Sequence, residues 1–139
     1  MIPARFASEV YAIFRIVFGL LFLMHGLQKL AGWFGGLAGD GQAVPLDTLM
    51  GVAGIIECTV GPLILFGLFT RYAAFLASGM MAAAYFIAHN SRGGLPLQNM
   101  GEPAVMNCFA FLYMAARGSG IWSLDALRSP QSVKARSAA

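Results

Sequence analysis

Charged residues are scarce in this chain. Lysine, arginine, aspartate and glutamate make up 11% of its 139 residues, against about 25% in an average soluble protein. Hydrophobic residues make up 58%, so a soluble fold of this size would have too few polar side chains for its surface. The length suits a single domain. The composition therefore favours a protein whose surface largely faces lipid.

Several cofactor and partner signatures are also missing. The sequence has no Cys-x-x-Cys pair, no flavin fingerprint and no haem motif, and its two cysteines, Cys58 and Cys108, lie far apart in apolar segments. We interpret both as small buried hydrophobic residues, with a disulfide between them left open. His25, His89 and the methionines lack the spacing of a copper site, so we predict no metal and no intrinsic cofactor. Basic residues are dispersed, which argues against nucleic acid as a partner.

Four long apolar segments remain once the turn-rich connections are set aside. We predict helices at about 10–30, 47–69, 72–89 and 102–117, because a helix needs roughly 17 to 25 residues to cross a bilayer. The predicted fold is an all-α integral membrane four-helix bundle within residues 1–128, and residues 129–139 are predicted to be a disordered tail. A soluble bundle is disfavoured because no helix has a polar face.

The distribution of lysine and arginine predicts the orientation. The first apolar segment continues to Leu30 without a small-residue cleavage site, so we expect it to stay in the protein as a helix. Both termini are predicted to be cytoplasmic, because that side then carries most of the basic residues. Seven fall there: Arg5, Arg15, Arg71, Arg117, Arg128, Lys134 and Arg136. Two fall outside: Lys29 and Arg92.

Six polar side chains fall at a similar depth, in the outer half of the predicted bundle. They are His25, Lys29, Glu57, His89, Glu102 and Asn107. An ionised group in the middle of a membrane helix costs about 2.5–3.5 kcal/mol, so such groups should turn inward and find partners. Glu57 could be protonated, or could pair with His25 or Lys29. Two interpretations stay open: a structural polar network, or a proton-linked ligand site.

Two further patterns concern packing. Gly51, Gly54 and Gly61 recur near helical spacing in the second segment, which predicts close approach of helix backbones. At the inner end, Ser123 is placed to cap a short helix of sequence LDALR. We predict that Asp125 in this helix forms a structural ion pair with Arg15 or Arg71. The alternative is a solvated helix acid.

Four stretches of the chain resemble the DoxX family. They are HGLQKLAG at 25–32 preceded by Arg15, GIIECTVGPLILFGLFTR at 54–71, NMGEPAVMN at 99–107 and GSGIWSLD at 118–125. Their order along the chain matches the family pattern, whereas the outer loop at 90–101 matches only loosely. The resemblance implies a multi-pass, four-helix protein of the bacterial inner membrane.

The resemblance also implies functions. DoxX relatives are associated with quinone-linked oxidation, including the small membrane subunit of a thiosulfate:quinone oxidoreductase, and with oxidative-stress defence. Our first hypothesis is a redox-associated subunit that binds a quinone and receives electrons from a partner protein. His25 and Glu57 would be its catalytic residues, with His25 bonded to a quinone carbonyl and relaying its proton. Glu57 would either carry a proton or set the charge state of His25. Lys29, His89, Glu102 and Asn107 would complete the ligand site.

Two other hypotheses remain beside it. Distant DoxX relatives act as receptors or assembly chaperones, so the chain could be a membrane scaffold for a redox complex without activity of its own. A small transporter is the third hypothesis, and it would require a homo-oligomer because no inverted repeat is visible. Whether the chain is itself an enzyme is left open at this stage.

Overall fold

Most of the chain that the structure describes is helical. The structure, a computed structural model, describes residues 3–128, which contain five α-helices and no strand. They are α1 (Ala7–Ala31), α2 (Leu49–Phe66), α3 (Thr70–Ala84), α4 (Glu102–Arg117) and α5 (Leu124–Arg128). A π-helical turn, Tyr85–His89, extends α3. The predicted disordered tail at 129–139 lies outside the described residues.

Among residues 3–128, three helical stretches are long and apolar enough to cross a membrane. They are Ala4–Ala31, Leu49–Phe66 and Thr70–Arg92. The length and composition of these helices confirm the prediction of an all-α membrane protein. The fourth predicted segment is observed as α4, with the predicted bounds, but its 16 residues reach only about 24 Å along the helix axis.

The turn between α2 and α3 is tight. Gly67 ends α2 in the left-handed conformation, with φ 69°, and the N–H of Leu68 donates to the carbonyl of Leu63 at 2.8 Å. This pattern closes a helix by satisfying its last carbonyls. Since α3 begins at Thr70, the two helices run in opposite directions.

One apolar core joins the first four helices. Its buried members come from all of them: Tyr11, Phe22, Val60, Ile64, Ala73, Ala74, Ala77, Phe111 and Met114. The rings of Phe22 and Phe111 lie 4.8 Å apart between their centroids, which joins α1 to α4. The core therefore holds α1–α4 together as one unit.

Glycines bring α1 and α2 into backbone contact. A Cβ atom at Gly19 would lie 2.4 Å from the backbone nitrogen of Leu65, and one at Gly61 would lie 2.7 Å from that of Leu23. Neither position can accept a side chain without separating the helices. The predicted close packing of the second segment is confirmed at Gly61, and it follows the small-residue pattern of helices that pack in lipid.

A fully buried arginine closes the end of α2. Arg15, which is 0% exposed, donates from Nη1 to the carbonyls of Ile64 and Leu65, both at 2.7 Å. Its Nη2 donates to the carbonyl of Trp122 at 2.6 Å. The last carbonyls of a helix lack partners within the helix and carry partial negative charge. The guanidinium therefore ties α1, α2 and the segment before α5 together.

Asp125 has a different partner from the one predicted. Its carboxylate accepts hydrogen bonds from the backbone N–H groups of Phe69 and Thr70, at 3.2 and 3.4 Å. Within residues 3–128 it forms no ion pair with Arg15 or Arg71, and the guanidinium of Arg71 donates to the carbonyl of Ala115 instead.

The prediction of an arginine partner is therefore corrected. The first N–H groups of α3 have no acceptor within their own helix and attract a negative group. The predicted cap of the short helix is confirmed, because the N–H of Ala126 donates to Oγ of Ser123 at 3.2 Å. Asp125 thus still fixes α5 to the bundle, through the start of α3.

We expect Arg15→Lys to lower the free energy of unfolding by about 2 kcal/mol or more, since a lysine cannot replace the forked hydrogen bonds of a buried guanidinium. Arg5→Lys is the matched control, because Arg5 is exposed and should leave stability nearly unchanged. Chemical unfolding in detergent micelles, followed by circular dichroism, measures both. Equal stability of the two variants would contradict the role assigned to Arg15.

Candidate functional site

A cavity opens between α1, α2, α3 and α4, in the half of the bundle away from Arg15. Its volume of about 630 Å³ falls within the range of small-molecule sites, roughly 300–1,000 Å³. Most of its wall is apolar. Five of the six side chains predicted to bind a ligand line it: His25, Lys29, Glu57, His89 and Asn107.

A buried ion pair forms part of the cavity wall. Nζ of Lys29 lies 2.9 and 2.7 Å from the two carboxylate oxygens of Glu57, and the side chains are only 10% and 4% exposed. Nζ also donates to the carbonyl of His25 at 3.4 Å. Of the two partners left open for Glu57, the structure therefore selects Lys29.

Lys29 and Glu57 can reach each other because α1 and α2 lie close together. A Cβ atom at Gly26 would lie 2.7 Å from the backbone nitrogen of Cys58, so α1 and α2 touch one turn away from the pair. Each charged side chain then reaches its partner directly across the contact. The arrangement satisfies the rule that a buried charge needs a partner.

His25 occupies a different environment. The residue is exposed, and its imidazole forms no hydrogen bond with any residue between 3 and 128. The side chain lines the cavity. A histidine in an apolar protein with no partner for its ring nitrogens is free to bond a ligand.

His89 reaches the same cavity from the π-helical turn that ends α3. Its Nδ1 lies 3.1 Å from the carbonyl oxygen of Asn99. Because a carbonyl only accepts, Nδ1 carries the proton in this contact, and Nε2 is then an acceptor in the neutral ring. Single π-helical turns occur often at functional sites.

Asn99, a residue without a predicted role, organises the loop beside the cavity. It is 1% exposed; its Nδ2 donates to the carbonyl of Gly93 at 2.7 Å, and its Oδ1 accepts from the N–H of Gly101 at 2.8 Å. Asparagine favours turns because its side chain can bond the backbone N–H two residues further on. The asparagine could therefore have indicated the turn. The burial of Asn99 against Tyr85 depends on tertiary packing.

The remaining predicted site residues lie at the start of α4. Asn107 lines the cavity and donates to the carbonyl of Pro103 in its own helix at 2.8 Å. Glu102 is exposed and is not among the residues that line the cavity. The structure therefore brings Asn107 to the site but leaves Glu102 outside it.

The thiols and the metal-binding residue types are dispersed. Cys58 and Cys108 are free thiols. Cys58 faces α1 at Gly26, whereas Sγ of Cys108 lies 3.5 Å from Oγ of Ser78 in α3. In the part of the chain that the structure describes, no group of three or more histidine, cysteine, aspartate or glutamate residues could hold a metal ion.

Comparison with known proteins gives one family and one relative. The family model described as DoxX matches residues 10–90. An uncharacterized protein from Haemophilus influenzae is 39% identical over 124 residues, which cover 87% of this chain and 92% of that protein. No solved structure matches significantly. The sequence resemblance is confirmed over 10–90, while the motifs at 99–107 and 118–125 fall outside the matched residues.

The ion pair predicts a strongly non-additive pair of substitutions. Glu57→Leu or Lys29→Met alone should each lower the free energy of unfolding by about 3 kcal/mol, because each leaves one buried charge without its partner. The double variant Lys29→Met/Glu57→Leu should be more stable than either single variant, since no lone charge remains. Unfolding in detergent micelles measures all three, and losses that simply add would contradict this account.

Proposed function

The chain belongs to the DoxX family of membrane proteins, and on this premise we propose that it is a multi-pass subunit that binds a quinone within a redox complex. Helices α1 to α4 cross the bacterial inner membrane, and both ends of the chain lie on the cytoplasmic side. The quinone enters the cavity from the lipid. The subunit contributes the quinone site, and a partner protein contributes the electrons.

The topology is supported by the shared core and by the charges. α4 packs into the same core as the three apolar stretches that could span a membrane, and Glu102 and Arg117 stand at its two ends. With those ends at the interfaces, a short helix can cross by local thinning of the bilayer. An even number of crossings returns the chain to its starting side.

The unpartnered imidazole of His25 carries the functional proposal. A purely structural network accounts for Lys29 and Glu57, because each satisfies the other's charge. It does not account for a histidine that lines the same cavity without any hydrogen bond to the described residues. The cavity has a mostly apolar wall and a histidine that can form hydrogen bonds. A ligand with an apolar body and a few hydrogen-bonding atoms fits both of these features.

A quinone has that chemistry. Its body is apolar, and its carbonyl oxygens accept hydrogen bonds and take up protons as they are reduced. In the proposed step, reduction of the quinone to the quinol takes two electrons, which the partner protein supplies, and two protons. His25 donates one proton to one developing oxyanion, and water from the outer surface donates the other to the second oxyanion. His25 is then reprotonated from the outer surface. Glu57, held by Lys29 nearby, stabilises the positive charge that the imidazole carries before transfer.

A scaffold function is the second candidate, and exposed apolar loops favour it. Trp33, Phe34 and Leu97 are 56%, 60% and 82% exposed in the two loops beside the cavity. Side chains of this type suit the membrane interface, and they also suit contact with another membrane protein. In this case the polar side chains would serve packing alone.

A substitution at His25 separates the two candidates. We expect His25→Ala to weaken equilibrium binding of decylubiquinone in detergent micelles by about fivefold or more, the loss of one hydrogen bond. Folded yield and thermal stability should be unchanged, because the backbone carbonyl that accepts from Lys29 is retained. Thr59→Ala is the matched control, since Thr59 is exposed on α2 and bonds only its own helix.

A scaffold function predicts the opposite results for quinone binding and for folded yield. There, wild-type protein would not bind the quinone, and His25→Ala would either change nothing or lower the yield of folded protein. A wild-type protein that fails to bind decylubiquinone overturns the quinone proposal directly.

A further inference from the structure

One glycine in the helices differs from the rest in its surroundings. At each glycine within α1 and α2, an added Cβ atom would lie 2.8 Å or less from a neighbouring atom. At Gly79, in the middle of α3, an added Cβ atom would meet nothing within 4 Å. Close contact with a neighbouring helix, or at Gly51 with the loop before α2, therefore explains the other glycines of α1 and α2 but not Gly79.

Backbone conformation does not explain Gly79 either. The residue lies inside a regular α-helix, and it is not among the glycines with positive φ. Glycine lowers the stability of a helix interior relative to alanine, because its unfolded backbone is more flexible. Nothing in the fold compensates for that loss at this position.

Gly79 does line the cavity. The same cavity is lined by Glu57 from α2 and by Lys29 and His25 from α1. The imidazole of His25 forms no hydrogen bond with the residues that the structure describes. A side chain at position 79 would project from the α3 wall into space that a ligand needs. The absence of that side chain widens the cavity at its α3 wall.

We infer that Gly79 is a specificity-determining residue, whose missing side chain makes room for the ring of a bound quinone. The inference rests on the proposed function, since it assumes that the cavity takes a quinone. It adds that α3 sets the size limit of the ligand. An alanine at this position takes up little space, whereas a leucine fills part of the room required by the ring.

The test combines binding with stability in four proteins: wild type, Gly79→Ala, Gly79→Leu and Ala116→Leu. Ala116 is exposed on α4 and does not line the cavity, so its substitution adds the same bulk elsewhere. Decylubiquinone should bind to wild type, Gly79→Ala and Ala116→Leu with similar affinity. Gly79→Leu should bind about tenfold more weakly or worse, as expected when extra methylenes occupy a pocket.

Thermal unfolding of the same proteins without ligand is the second readout. Gly79→Leu should be at least as stable as wild type, because its side chain enters open space. If Gly79→Leu unfolds at a lower temperature than Ala116→Leu, Gly79 is a packing residue and the inference fails. If Gly79→Leu is stable and binds decylubiquinone as tightly as wild type, the inference also fails, while the proposed function stands.

A wild-type protein that does not bind decylubiquinone gives a different result. In that case the proposed function fails, and the specificity role of Gly79 fails with it. Binding by wild type and loss of binding in Gly79→Leu, with stability retained, supports both. The failure of the inference alone and the failure of the proposed function are therefore distinguished by the wild-type measurement.

Discussion

The backbone contact between α1 and α2 is the constraint on which the rest of the structure depends. Gly19, Gly26 and Gly61 allow the two helices to touch along their length. The two helices run in opposite directions. Arg15, near the start of α1, therefore contacts the end of α2, and Lys29, near the end of α1, contacts the middle of α2. This single contact therefore positions the buried cation at each end of the bundle, Arg15 at one end and Lys29 at the other.

Each end neutralises its buried cation in a different way. Arg15 is held by backbone carbonyls, since the final turn of α2 offers acceptors that no helical N–H can use. Lys29 faces the middle of α2, where the backbone is satisfied, and it requires the carboxylate of Glu57. In an apolar surrounding no solvent could replace either partner. Both buried cations are thereby accounted for, whereas the imidazole of His25 forms no hydrogen bond within the described residues.

The outer end of α3 is organised by a second network. Asn99 folds the loop at 93–101 onto Tyr85, and its carbonyl receives His89. The π-helical turn places His89 in the cavity wall. A loop anchored by a buried asparagine thus holds one side of the cavity, while the α1–α2 contact holds the other.

Much of the architecture follows from local patterns. The bounds of α4 and the cap at Ser123 were predictable, because local residue patterns determine where one helix begins and ends. Partner choice was not predictable in the same way. Glu57 bonds Lys29 rather than His25, Asp125 bonds the start of α3 rather than an arginine, and Glu102 lies outside the cavity. These outcomes depend on how far apart the helices lie and how each is rotated against its neighbours, and such distances are set by packing between residues remote in the chain.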